Sequence, residues 1–353
     1  SIKSMLLDVK GNEIASAAKE YTLLTPRTNF VELEVEEYWA ACKNSIGRVI
    51  HKSGIKGEDI ASLAISSQGE TLIAVDKDGK PLSRAIVWAD NRSVEECRIL
   101  KEKLSEEVVH KVTGQPKIIP TWPATKILWI RRHKPELFKK VYKFLLVEDY
   151  LTFKLSGIFA TEPSVNSSSL LLDIDKGLWW NEILDEVGIT QDQLATLYPS
   201  GTPIGNVRKA VASETGLGAN TLVVTGAFDQ AASAIGAGNI KPGIVSETTG
   251  AAMGIVATIE HPVFDPKKRV PCQRHAADNL YFLMPFTQTA GMVLRWYRDM
   301  FGSMERQVGD WTSIDAYDLL GMEAVQTPAG SEGLVILPHL AGAACPEYDP
   351  NAR

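Results

Sequence analysis

Thr221-Leu-Val-Val-Thr225-Gly226-Ala-Phe-Asp229-Gln230 is the stretch on which the fold turns. Thr221 to Thr225 is a short, β-branched and apolar run, the composition of a buried strand. Gly226-Ala-Phe-Asp229 reads as a tight turn, and Gln230 to Gly238 as a helix of small residues. Strand, polar junction and helix together are the grammar of an α/β sheet, whose ligands collect beyond the carboxyl ends of the strands. Asp229 stands at such a junction. Two readings of it are open. A carboxylate at a helix opening satisfies orphan N–H groups as an N-cap. The same carboxylate accepts a hydroxyl proton in phosphoryl transfer. On this segment alone the cap is the simpler reading.

Upstream, Ile60 to Ile65 is a second buried strand, followed by Ser66-Ser67-Gln68-Gly69-Glu70-Thr71. Gln68 and Glu70 are suited to adjacent hydroxyls of a polyhydroxy ligand, and Gly69 permits close backbone approach. A polar turn is the plainer alternative. Leu72–Val75 and Ala85–Trp88 read as a hairpin turned at Asp78-Gly79. It leads into Trp88-Ala-Asp90-Asn91-Arg92, where an aromatic face beside polar side chains suits a sugar. The alternative is a packing Trp and a local Asp90–Arg92 ion pair of little energetic weight. Downstream, Lys241-Pro242-Gly243 breaks the chain, so Asn239 to Gly243 is the domain boundary. Ile244 to Val256 then reads as two strands joined at Thr249-Gly250, a turn able to offer N–H groups and a hydroxyl to a phosphate.

The remaining elements follow from pattern. Ile2–Leu7 and Glu13–Tyr21 form a hairpin, repeating the strand–turn–strand layout after the boundary. A hairpin at the first residues calls for a further strand upstream. Val35 to Ser53 is an amphipathic helix with Tyr38, Trp39, Cys42, Ile46, Val49 and Ile50 on one side. Ser93 to Val109 reads as one charged surface helix. Ala124–Arg132 and Pro135–Val141 read as helices and Phe144–Val147 as a strand. Glu148–Leu155 reads as a helix closed by Ser156-Gly157, with Asp149 a helix-start carboxylate. Leu194 to Gly218, broken by Pro199, Gly201, Pro203, Gly205 and Gly216, reads as loop.

Composition narrows the function. At roughly 100–200 residues per domain, 353 residues suggest two domains and leave one or three open. With 44% hydrophobic and 23% charged residues the chain is neither disordered nor fibrous. The net charge of -6 opposes a sequence-independent nucleic-acid binder. No apolar run reaches the roughly 18 residues of a membrane span. Cys42, Cys97, Cys272 and Cys345 form no CxxC pair, so a reducing cytosol is expected. His51, His110, His133, His261, His275 and His339 lack metal-site spacing, and no metal ligand is assigned. Neither GxxxxGK[ST] nor GxGxxG occurs.

Taken in order, these elements resemble the FGGY family of carbohydrate kinases. Pro123-Ala-Thr-Lys126-Ile-Leu-Trp129-Ile-Arg-Arg-His133 resembles the first family signature. Glu148-Asp-Tyr-Leu-Thr-Phe-Lys-Leu-Ser-Gly157 resembles its KDYLxxxxTG stretch, and Gly226-Ala-Phe-Asp229-Gln230 its G-x-x-D-[NQ] segment. Gly333-Leu-Val-Ile-Leu-Pro338-His-Leu-Ala-Gly342, followed by Asp349-Pro-Asn-Ala-Arg353, resembles the stretch ending in DPxARG.

The resemblance implies an α/β fold of two actin-like (ribonuclease-H-like) domains around a cleft. The first, 1–239, would bind the sugar; the second, 240–353, would begin a nucleotide domain left incomplete in this sequence. It implies transfer of the γ-phosphoryl group of ATP, with Mg2+, to a sugar hydroxyl, with Asp229 as catalytic base. Gln68, Gly69, Glu70, Trp88, Asp90 and Gln230 would contact substrate. Thr249, Gly250 and Gly291 would contact nucleotide and phosphate, while Arg295 stands where glycerol kinases carry Gln. The first phosphate loop of the family would precede Ser1, and its adenine-binding segment would follow Arg353.

A pentulose such as xylulose ranks first as substrate, glycerol or another polyol second, gluconate third. Gln68, Glu70 and Thr71 match the Gln-Arg-Glu-Thr pattern of glycerol kinases, but Gly69 replaces its Arg and Thr121 its Tyr. A sugar-binding protein without catalysis and a polymerising actin-like protein are the alternatives of other classes. A cytoplasmic enzyme acting on a small molecule, with no membrane or nucleic-acid partner, is expected; a homodimer is compatible with this reading.

Overall fold

The computed structural model describes residues 1–353 except Ala251, Gln288, Ala341, Gly342, Ala344, Pro350, Asn351 and Arg353. Much of the Asp349–Arg353 motif therefore lies outside the described residues.

The chain opens with the antiparallel hairpin Ile2–Leu7 and Glu13–Lys19. Asp8 closes its turn by accepting the Lys10 and Asn12 N–H groups at 2.8 and 2.9 Å. The amphipathic helix Val35–Ser53 lies against the hairpin and buries Tyr38, Trp39, Cys42, Ile46 and Val49. It ends at Gly54, whose φ of 67° is the left-handed conformation that glycine adopts without strain.

The organising feature is the parallel pair Ser62–Ser67 and Leu222–Phe228. Its register sets Leu222 opposite Ser62 and Phe228 opposite Ser67. Pro203–Asn206 adds an antiparallel strand on the far side of Leu222–Phe228. The pairing is interrupted between Val224 and Ala227, and there the backbones crowd. A Cβ on Gly226 would lie 1.6 Å from the Ile65 carbonyl oxygen, so only glycine fits. The Gly226 N–H leaves the ladder and donates to Glu148 Oε1 at 3.1 Å.

Several expectations change. Leu222–Phe228 stays extended to the start of the helix Asp229–Gly236, so Gly226 to Asp229 is not a tight turn. The charged helix divides into Val94–Lys103 and Glu106–Thr113, because Ser105 turns extended and caps the second by accepting the Val108 N–H. Pro135 opens a helix of one turn only, Pro135–Phe138. The glycine- and proline-rich stretch 194–218 contains the strand Pro203–Asn206 and the helix Lys209–Thr215. Ile73–Val75 and Ala85–Ile86 share a bridge at Leu72 and Ile86, yet their ladders run to Lys143–Leu145 and Glu32–Leu33. Local pattern does not select between such distant partners.

Beyond residue 243 a second, antiparallel sheet begins. Val245–Thr249 pairs with Met253–Ile259, as the sequence indicated, then come Tyr281–Leu283 and Cys272–Arg274. Val256, Phe282 and Met284 pack with Phe228, Ala231, Ala234 and Val165 into one core, joining this sheet to the Asp229 helix. Helices Gly291–Met300, Ser303–Thr312 and Ala316–Val325 follow. Among the described residues no helix is long and apolar enough to cross a membrane.

Candidate active site

Parallel strands end together, so the Phe228–Ser67 register carries the residues after each strand to one place. Asp229 and Gln68 both line a groove of about 640 Å3 between the Ser62–Ser67 edge and the Ile2–Leu7 strand, whose floor is made of core side chains such as Cys42, Ile46, Val147 and Leu151. Asp229 is the first helical residue and keeps partial exposure. Phe228 occupies the cap position, and no side chain caps the helix. The cap reading is therefore set aside.

Burial pushes the Asp229 carboxyl up to about 7, and the charge of Glu70 adds to the rise, against the Gln230 backbone N–H. Glu70 is itself raised by burial, with the Ser168 hydroxyl and the Lys126 ammonium acting the other way. Two carboxyl groups facing one site with displaced affinities for protons are a common feature of acid–base centres.

The surrounding polar groups are tied to one another. Gln68 Nε2 donates to Thr71 Oγ1 at 2.9 Å and reaches Tyr38 Oη at 3.5 Å. The fully buried Thr71 also accepts the Trp88 backbone N–H at 3.1 Å. Gly69 is buried, and a Cβ there would lie 2.7 Å from Ser168 Oγ and 3.3 Å from the Val165 carbonyl. Trp88 is 40% exposed.

Asp90 is different. It is fully buried and accepts from the Val31 N–H at 2.6 Å, the Arg92 N–H at 2.9 Å and the Arg92 guanidinium at 2.8 Å. Arg92 in turn reaches Glu32 at 2.7 Å and lies over the Phe30 ring. This is an interior ion-pair network, not the weak surface pair expected of neighbouring charges. It shapes the Trp88 loop from behind, and the structure does not bring Asp90 to the groove surface.

Gln230 points toward the second sheet. Its side chain lies 3.0 Å from the place of a Cβ on Gly254, and its buried Oε1 has no partner. The expected phosphate residues do converge. The Gly291 N–H donates to the Gly250 carbonyl at 3.0 Å, and a Cβ on Gly291 would lie 2.5 Å from that oxygen. Thr249 Oγ1 donates to the Glu247 carboxylate on the same turn. Arg295, one helical turn after Gly291, is exposed, its Nε 3.7 Å from Asp299.

Sequence reasoning named Thr71 only as part of the glycerol-kinase pattern and passed over Ser168, Tyr38 and Lys126 as individual contributors. Of those three only Lys126 left a signal, as a charge immediately before the apolar run Ile127-Leu-Trp-Ile130. Among the described residues no group of three or more His, Cys, Asp or Glu is placed to hold a metal.

Comparison with known proteins shows the family and the fold. The sequence pattern of the N-terminal domain of the FGGY family of carbohydrate kinases matches residues 1–236. The chain is 30% identical over 353 residues to the xylulose kinase of Bacillus subtilis and 32% identical over 354 residues to the gluconokinase of the same organism. Each match takes in the whole chain and 68% of the relative. The crystal structure of ligand-bound xylulose kinase from Lactobacillus acidophilus superposes with a TM-score of 0.88 at 27% identity, over 99% of this chain and 69% of that one. The fold is thus the two-domain actin-like architecture, of whose second domain this sequence holds a part.

Proposed function

The chain belongs to the FGGY family of carbohydrate kinases, and on that premise we propose that it phosphorylates a pentulose such as xylulose with Asp229 as general base. The single observation that carries the assignment is the position of Asp229. It sits at the end of a parallel strand pair, partly exposed to the groove, with a carboxyl pushed up to about 7. A base of that affinity accepts a proton from an alcohol as the oxygen attacks, near neutral pH.

In the proposed reaction, Gln68, Glu70 and Trp88 hold the sugar so that one hydroxyl meets the Asp229 carboxylate. The hydroxyl oxygen attacks the γ-phosphorus of ATP, its proton passes to Asp229, and the bond to the ADP oxygen breaks. Thr249, Gly250 and Gly291 hold the phosphates. Mg2+ would neutralise phosphate charge in such a transfer and needs only one or two carboxylates besides the phosphates; Glu247, on the turn beside Thr249, is the carboxylate there. Pinning the sugar side with buried groups excludes water and limits ATP hydrolysis.

Gly69 supports a ketose or sugar acid over glycerol. A side chain at 69 would collide with Ser168, so the arginine fork of the glycerol-kinase pattern has no place here. Gluconate is the second reading, favoured by the 32% identity to a gluconokinase.

ADP release from the complete gene product, measured on a panel of pentuloses, hexuloses, polyols and gluconate, tests both. The highest kcat/KM is expected on a pentulose; a preference for gluconate moves the assignment to the second reading. Asp229→Asn is expected to lower turnover by orders of magnitude while sugar still binds. Near-normal turnover in that variant would remove Asp229 from the role of base.

A further inference from the structure

Lys126 is an anomaly in the core. It lies in the helix Pro123–His133, where residues 123 to 130 are all buried, and its own side chain is fully buried. A buried ammonium is destabilising unless it is paired and hydrogen-bonded. Lys126 Nζ donates to the Glu70 backbone carbonyl at 2.7 Å and to the Val87 backbone carbonyl at 3.0 Å.

Those acceptors stand where two strands part. Leu72 and Ile86 exchange both backbone hydrogen bonds at 2.9 Å. Continued by two residues on each strand, an antiparallel ladder would pair Glu70 with Trp88. That pair does not form. The Trp88 N–H goes to Thr71 Oγ1 and the Glu70 carbonyl goes to Lys126. A hydroxyl and an ammonium thus replace the ladder at the point where the strands splay, and the splayed ends carry Glu70 and Trp88. Burial pushes the Lys126 ammonium down to about 7; Glu70 and Asp90 attract it and Arg92 repels it, so it is charged on the acid side of neutrality.

We propose that Lys126 is a positioning residue for substrate, setting the separation of Glu70 and Trp88 through two backbone carbonyls and supplying the positive charge that faces Glu70. This rests on the reading of Glu70 and Trp88 as sugar contacts. The ammonium touches no reacting atom; it acts through Glu70 and Val87.

The test uses the complete gene product and the sugar that the ADP-release panel identifies. Lys126→Met keeps the length of the side chain and removes the donors and the charge. Loss of charge-assisted hydrogen bonds of this kind corresponds to a rise in sugar KM of roughly tenfold to a hundredfold. The KM for ATP is expected to stay within about twofold (an equivalence of under 0.5 kcal/mol). The acid limb of kcat/KM is expected to move to lower pH, because Glu70, without the nearby cation, holds its proton more firmly and its charge no longer raises Asp229. Lys126→Gln, which keeps a donor but no charge, is expected to hold more of the sugar affinity and to show the same displacement of the limb.

Sugar binding followed by calorimetry separates this proposal from the function it rests on. If the unsubstituted protein binds no sugar of the panel, the functional reading falls. If it binds and Lys126→Met binds equally, only the role of Lys126 falls. Equal rises in both KM values with an unmoved acid limb, or failure of both variants to fold, would make Lys126 a residue of the core alone and overturn the proposal.

Discussion

Replacing Asp229 with Asn is expected to stabilise the protein at pH 8 while abolishing its activity. The Asp229 carboxyl is raised from 3.8 to about 7, chiefly by burial. A group raised on folding keeps its proton in the folded state at pH values where the unfolded chain has lost it. Its contribution is present in full below about pH 4 and is lost as pH rises through about 7. The displacement is about 3 units, and each unit corresponds to about 1.4 kcal/mol, so the loss is at most about 4 kcal/mol. Partial exposure of the side chain reduces it to roughly 2–3 kcal/mol. Asn keeps the shape and does not ionise.

The stability of Asp229→Asn relative to the unsubstituted protein should therefore be near zero at about pH 4 and below and grow by about 2–3 kcal/mol by pH 8. The raised carboxyls of Glu148, Asp149 and Glu162 are common to both proteins and drop out of the difference. Relief of Glu70 from a like charge has the same sign. Urea denaturation across that pH range measures the difference, with ADP release on the same samples. A difference that does not change with pH would refute the claim that Asp229 ionises against its surroundings. A gain in stability with turnover retained would leave a strained carboxyl that is no base.

The acid limb of the unsubstituted enzyme should fall near pH 7, since only the ionised Asp229 accepts a proton; a rate–pH profile flat from pH 5 to 8 would contradict it. Gly226→Ala puts a Cβ 1.6 Å from the Ile65 carbonyl, so the parallel pair must separate; soluble expression should collapse, and a normal urea midpoint would show that the strands are not in this register. Thr71→Val leaves the Gln68 amide and the Trp88 N–H without their acceptor, which should destabilise by about 1–3 kcal/mol and raise sugar KM more than ATP KM, read from unfolding curves and steady-state kinetics. Gly291→Ala crowds the Gly250 carbonyl at 2.5 Å and should raise ATP KM with little effect on sugar binding by calorimetry.

Periodicity along the chain determined much of this protein. The stripe of Tyr38, Trp39, Cys42, Ile46 and Val49 sets the Val35–Ser53 helix, and Gly54 its end, because a helix face and a left-handed stop are properties of neighbouring residues. The turn at Asp8 and the two strands around Gly250 were legible for the same reason. Asp229, Gln68 and Glu70 were legible as candidates from their places after strands.

Tertiary structure decided what each candidate does. The parallel register of strands some 160 residues apart brings Asp229 to Gln68, and no local signal encodes that pairing. Burial is likewise a sum over distant atoms. It made Asp229 a raised carboxyl and not a cap, took Asp90 into an ion-pair network behind the Trp88 loop, and gave the ammonium of Lys126 two carbonyls from strands it does not neighbour in sequence. A charge in a sequence is only a charge; how strongly it holds its proton, and what it faces, belong to the folded chain.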